Sequence, residues 1–306
     1  MVQGVANFTL ACYIAAMTMH SWDRDAVVQL LLDAGRTALS FFGDPGISIK
    51  ADKSIVTEAD KAIERELATL FDHPDEGVYL LGEETFETHS EDYFEQALKH
   101  TTWIVDPIDG TSSFAFGLPT WGVSIGFSRG GIITEGGILL PVSGDLMITD
   151  AGTVYYTKLG ADRKQWDPAG LTPFKPPQLD PKRIGLVSIS QEVAKQGFYH
   201  GPQSVQSNGS CVYSAVYLIL GSFIGYIANV KLWDIAAAIA FFDALGFTMK
   251  FADGRVVGPE INEQNYRLNS SGGSHWKMAD QFYIADSEPL CDYLVSRTVV
   301  APRTRS

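Results

Sequence analysis

The chain has 306 residues, of which 45% are hydrophobic and 19% charged, and its formal net charge is −13. This describes a globular chain with room for a large core or two compact halves, and excludes a disordered one. The acidic balance excludes a nucleic-acid surface, which needs a basic face, but not an anionic substrate, because bound cations reverse the local sign of an acidic site. Cys12, Cys211 and Cys291 are far apart, and no CxxC or Cys/His zinc spacing occurs. No disulfide framework and no structural zinc are therefore expected, and a cytoplasmic location fits such cysteine usage.

In chain order, residues 1–20 read as an N-terminal extension. Its apolar run, Asn7–Met19, follows no basic segment, since the first Arg or Lys is Arg24. It is also too short for a bilayer, so no membrane association is expected. Initiation at Met17 or Met19 would fall just ahead of the first helix. The sequons at Asn7, Asn208 and Asn269 are then chance matches. From Ser21, Val27, Leu30, Leu31, Ala34, Ala38 and Leu39 recur at helical spacing. GDPG (43–46) ends that helix. A second helix follows in SIVTEADKAIERELATLF, with Thr57 as N-cap and Asp60 three residues later.

GVYLLGEE (77–84) and TTWIVD (101–106) are buried strands ending on acids, separated by the acid-rich amphipathic EDYFEQALKH. TWGVSIGF, IITEGGILL, DLMITD and TVYYT are further strands. A Pro-rich run over 167–183 breaks the pattern. We place an α+β half over 21–170 and an α/β half over 171–306, the latter from RIGLVSIS, CVYSAVYLILGSF, FIGYIANVKL, DIAAAIAFFDALG and FYIAD, with a last helix from Glu288.

Strand C-termini are where α/β proteins present chemistry. Glu83, Glu84, Asp106, Asp109 and Asp234 all stand at or just beyond such ends. Acids gathered without a cation would raise one another's pKa, and hard oxygen ligands favour Mg2+ or Mn2+. Two such ions suit phosphoryl transfer, and the Gly110-Thr111 step would open a helix whose free N–H groups hold phosphate. Read singly, Asp109-Gly110 is a turn, Glu83-Glu84 a solvated loop and Asp234 a helix N-cap.

GEE, then DPIDGTSSFAFGLP, then the distant WDIAA resemble the inositol monophosphatase superfamily in order and spacing from about Ser21 onward. KADKSIVTEAD and NGSCVYSAVYLILG resemble further family segments. The resemblance implies a layered αβαβα sandwich, a homodimer, lithium sensitivity and a small phosphorylated substrate. Carried over by position, Glu83, Asp106 and the Ile108 carbonyl hold one Mg2+, and Asp106, Asp109 and Asp234 hold a second. A third, weaker ion sits mainly on Glu83. Thr111 paired with Asp60 orients and deprotonates the attacking water, so Glu83, Thr111 and Asp60 form the catalytic set. Gly110, Thr111 and Ser112 bind phosphate, Lys50 or Lys53 is the basic residue near the entrance, and Glu84 has a supporting role.

One position departs from the pattern. The glutamate that binds substrate hydroxyls in inositol monophosphatases proper, seven residues before the WD aspartate, is here Ile227, which puts myo-inositol phosphate in doubt as substrate. Asn229 or Lys231 would supply polar contacts instead, and Lys231 would favour a second phosphate or carboxylate. Fructose-1,6-bisphosphate, 3′-phosphoadenosine 5′-phosphate and histidinol phosphate stay open. Two rival readings remain. One is a serine hydrolase using Ser124 in GVSIG with His200 or His275, although that motif needs a strand–turn–helix and FSRGGIITEGG reads as turn and strand. The other is a non-catalytic metal- or ligand-binding homologue.

Overall fold

Asp23, two residues later than the pattern suggested, opens the first helix. The computed structural model describes residues 19–50, 54–177, 185–270 and 274–300. The expected N-terminal extension, apart from Met19 and His20, and Lys53 lie outside the described residues. Asp23 caps α1 (Arg24–Phe41) by accepting from the Ala26 N–H at 3.0 Å. The predicted apolar stripe is buried, except that Leu39 is half-buried. A short hairpin, β1 (Ser48–Ile49) and β2 (Ile55–Val56), leads into α2 (Glu58–Phe71). As expected, Thr57 caps α2, and its own N–H donates to Asp60 Oδ2 at 2.8 Å, closing a capping box.

The next strands are β3 (Val78–Gly82), β4 (Thr101–Asp109), β5 (Gly122–Arg129), β6 (Ile132–Leu140), β7 (Asp145–Asp150), β8 (Thr153–Lys158) and β9 (Thr172–Pro173). They form one seven-stranded sheet in sequence order, parallel only between β3 and β4. Helices α3 (Glu91–Ala97) and α4 (Thr111–Ala115) lie in its connections. β4 runs three residues past its expected end at Asp106. Pro107 cannot donate to the ladder, so the register with β5 shifts between Asp106 and Asp109 before Asp109 pairs with Gly122. In a regular strand, residues three apart point to opposite faces. The irregularity releases Asp106 and Asp109 from that alternation.

The second half supplies β10 (Leu186–Ile189), α5 (Gln191–Gln196), β11 (Gly197–Tyr199), β12 (Ser204–Gln206), α6 (Cys211–Ile219), β13 (Phe223–Ala228), α7 (Leu232–Leu245), β14 (Thr248–Phe251), β15 (Phe282–Ala285), α8 (Glu288–Arg297) and β16 (Thr298–Val300). β12-β10-β13-β15-β14 form a mixed sheet, while β11 and β16 pair separately. β13 stops at Ala228, so Asn229–Lys231, expected to continue the strand, form a loop.

Contacts between elements give five layers. α1 and α2 pack on one face of the large sheet, α6 and α7 lie between the sheets, and α8 covers the far face of the small one. This is the αβαβα sandwich. Ile138 and Met147 of the large sheet, Ile239 and Phe242 of α7, and Tyr226 and Ile284 of the small sheet share one core. α7 sits unusually close to the large sheet. A Cβ on Gly136 would come within 2.3 Å of the Ala237 carbonyl oxygen, so only glycine there lets the alanine-rich face of α7 dock. That docking carries the start of α7, with Asp234, to the end of β4. Among the described residues no helix is long and apolar enough to cross a membrane.

Candidate metal and phosphate site

The turn after β3 is built around a residue that the sequence reading passed over. Glu64, on α2, is buried and accepts the backbone N–H groups of Glu84 at 2.9 Å and Thr85 at 2.7 Å. Its carboxylate fills the place where a Cβ on Gly82 would sit, at 2.3 Å, so GEE must begin with glycine to wrap this anchor. Burial pushes Glu64 up to about 7, against the pull of those donors. Glu64 thereby sets the direction in which Glu83 and Glu84 leave the strand. Glu84 accepts from Lys50 Nζ at 2.7 Å, and Glu83 lies 3.6 Å from the same amine. Burial works against the Lys50 charge, but Glu83 and Glu84 outweigh it and hold the amine protonated.

Side-chain oxygens of Glu83, Asp106 and Asp234 lie within 4.8 Å of one another. Asp106 uses one oxygen to accept from the Ile108 N–H at 3.1 Å; its other oxygen is buried without a partner among the described residues. Burial, followed by Glu83, Asp109 and Asp234, drives Asp106 well above the carboxylate range. Burial with Asp109 and Glu83 lifts Asp234 to about 8. Asp234 is not the N-cap of α7, as a single-residue reading had it. It is the third helical residue and accepts from the Lys231 N–H at 2.9 Å. Asp109 Oδ2 accepts from Ser210 Oγ at 2.5 Å and the Val212 N–H at 2.7 Å, which ties β4 to the start of α6. Burial nevertheless raises Asp109 to about 6. Too few donors serve these buried and half-buried carboxylates, and a hard divalent cation fits the oxygens that remain.

Thr111 stands at the first turn of α4, after Gly110 in the left-handed region at φ 93°. Its Oγ1 lies 3.0 Å from the Ile108 carbonyl oxygen and 3.5 Å from Asp60 Oδ1. Burial lifts Asp60 to about 6. α4 spans only five residues, and Ser112 is exposed. Ser113 and Thr120 both donate to the Asn208 carbonyl, at 3.2 and 2.9 Å, and so pin the turn before α6 against α4. The sequon side chain of Asn208 has its amide nitrogen buried, which suits no glycan.

A cavity of about 820 Å³ opens beside these groups. Lys50, Glu83, Glu84, Asp109 and Asp234 line it, together with Ser210, Tyr226, Asn229, Lys231 and the Lys277–Glu192 pair. Gly110, Thr111 and Ser112 are not among its lining residues. Ile227 is fully buried with Val187, Val193 and Ile224 in the core beneath α8, so it does not face the cavity at all. Ser124 lies within β5, fully buried opposite Asp106, and its Oγ has no partner among the described residues. No strand–turn–helix surrounds it and neither His200 nor His275 bonds to it, which removes the basis for a serine nucleophile.

The family model described as the inositol monophosphatase family matches residues 22–290. The chain is 30% identical over 198 residues to the quinic acid degradation cluster protein x of Neurospora crassa, covering 54% of this chain and 55% of that one. The chain thus spans about half the length of that relative. With the inositol-1-monophosphatase of Caulobacter vibrioides it is 29% identical over 213 residues, 65% of this chain and 77% of the other. Among solved structures, an IMPase/NADP phosphatase complexed with Mg2+ and phosphate superposes with a TM-score of 0.62 at 18% identity, covering 89% and 92% of the two chains, a likeness of fold. With the family model reaching from the first turn before α1 into α8, the chain belongs to the inositol monophosphatase family.

Proposed function

We propose that this protein is a divalent-metal-dependent phosphomonoesterase acting on a small phosphorylated molecule. The observation that carries the reading is the convergence of Glu83, Asp106 and Asp234, from three separate elements, within 4.8 Å, with Glu83 and Asp234 lining the cavity. Glu83, Asp106 and the Ile108 carbonyl would hold one Mg2+ or Mn2+; Asp106, Asp109 and Asp234 would hold another, with a third, weaker ion on Glu83. When bound, such ions polarise a water and neutralise the charge that builds up as the ester bond breaks. The chain's own contribution is positional. Thr111 Oγ1 receives the water's proton and relays its own to Asp60 Oδ1, whose raised pKa suits a base near neutral pH. The backbone N–H groups of Gly110, Thr111 and Ser112 orient the phosphate oxygens. Water adds to phosphorus as the P–O ester bond breaks, the ester oxygen takes a proton from solvent while Asp60 returns the one it received, and alcohol and inorganic phosphate result.

Inhibition by Li+ replacing one cation, a homodimer and a cytoplasmic location complete the proposal. The two described cysteines, Cys211 and Cys291, are both free and buried, which supports a reducing compartment. A panel of phosphorylated polyols, sugars and nucleotides assayed with and without Mg2+ tests the reading. Release of phosphate that depends on the cation is the expected result. Cation binding without turnover of any substrate would instead favour a non-catalytic homologue.

A further inference from the structure

Beside Phe86 the cavity is lined by a cation, Lys231, that is not tied up in an ion pair among the described residues, although its charge also acts on the nearby Asp234. Lys231 Nζ sits 5.0 Å from the ring centres of both Phe86 and Trp233. Among the described residues the amine makes no hydrogen bond and no ion pair. The neighbouring basic group on this wall, Lys277, is by contrast committed to Glu192 at 2.7 Å. Asn229, two residues before Lys231, has its side-chain amide oxygen buried without a partner among the described residues. Ile227 is turned into the outer core. The wall therefore presents no glutamate at that position to accept a polyol hydroxyl, and presents an ammonium held in place by two aromatic faces. A cavity of about 820 Å³ also has room for much more than one phosphate group.

Resting on the phosphomonoesterase reading, we propose that the substrate carries a second anionic group, a carboxylate or another phosphate, and that Lys231 is the residue that selects for it. The ester phosphate goes to the acid cluster, and the second anion makes the close ion pair that Lys231 lacks among the described residues. A charge-assisted contact of this kind, partly shielded from water, is worth about tenfold or more in discrimination.

Matched pairs test this. With Mg2+, glycerol 3-phosphate is compared with 3-phosphoglycerate, which adds a carboxylate, and fructose 1-phosphate with fructose 1,6-bisphosphate, which adds a phosphate. The wild-type protein should favour the anionic member of at least one pair about tenfold or more in kcat/KM, and the pair that responds identifies the group. In Lys231→Met that ratio should fall close to one, and Lys231→Arg should keep most of it. Equal kcat/KM within both pairs in the wild-type protein overturns the assignment, even if Lys231→Met fails to fold. A preference that survives Lys231→Met overturns it as well. Failure to cleave any of the four, alongside Mg2+-dependent turnover of another member of the wider panel, overturns this proposal alone; no turnover anywhere in that panel strikes the phosphatase reading as well.

Discussion

Two acid groups in this molecule, each with a buried aspartate at its centre, have opposite fates. Asp145, at the start of β7, is buried, yet it accepts from Ser143 Oγ at 2.6 Å, Tyr156 Oη at 2.8 Å and Lys158 Nζ at 2.8 and 2.9 Å. One carboxylate there meets a full set of donors, including Tyr217 Oη of α6 at 3.3 Å, and the cluster joins β7, β8 and α6. Across the core, Asp106 and Asp234 share a small space with Glu83 and have few donors between them, and Asp106 keeps one oxygen with none among the described residues. Burial alone therefore does not mark a site. What marks it is a shortage of protein donors, which the proposed cations would make good.

The sharpest way to break this contrast is Asp106→Asn. It should lower kcat by about a thousandfold, several kcal/mol of lost transition-state stabilisation. Circular dichroism and thermal melting without metal should meanwhile show a folded chain, because one of the mutually repelling acids has been neutralised. Turnover that persists at saturating Mg2+ would remove Asp106 from the metal set. The mirror experiment is Asp145→Ala, expected to cost about 3 kcal/mol in urea unfolding while kcat per folded molecule is kept. A loss of activity without loss of stability would mean that the two clusters are not as different as described.

Metal titration sharpens the comparison at somewhat smaller amplitude. Mg2+ at a hundred times its Kd should stabilise the wild-type chain by about 2.7 kcal/mol per site, and should do so equally in the Asp145 variant but not in Asp106→Asn. The smallest effect should come from Ser210→Ala, which removes the hydroxyl that caps α6 and donates to Asp109. About 1 to 2 kcal/mol of stability should go, with weaker Mg2+ binding by calorimetry, since Asp109 loses one of its two anchors. An unchanged Mg2+ affinity would separate Asp109's structural bond from its proposed ligand role.

Much of this was readable before any coordinates. The apolar stripe of α1, the Thr57–Asp60 capping box and the strands ending at GEE and near Asp106 follow from period and cap chemistry, which act over a few residues and leave a local imprint. The pairing of Thr111 with Asp60 came from resemblance alone, and the atoms stand 3.5 Å apart. Glu64 was invisible because a glutamate in a helix ordinarily points to water, and nothing local says that a turn some twenty residues away will close over it. Ile227 stands where the family pattern has its hydroxyl-binding glutamate, yet only the structure shows that its side chain is buried in the outer core. Asp234 looked like an N-cap because that role is the common one for an aspartate before an apolar run.

The sequence by itself determined which segments are helices and strands, which acids end them and the family to which they belong, because propensity, periodicity and motif order are properties of neighbours along the chain. The tertiary structure alone decided which carboxylates were satisfied and which were not. That balance depends on donors brought from distant elements: Ser210 to Asp109, Glu64 to the turn at Glu84, and α7 pressed against Gly136 so that Asp234 reaches Asp106.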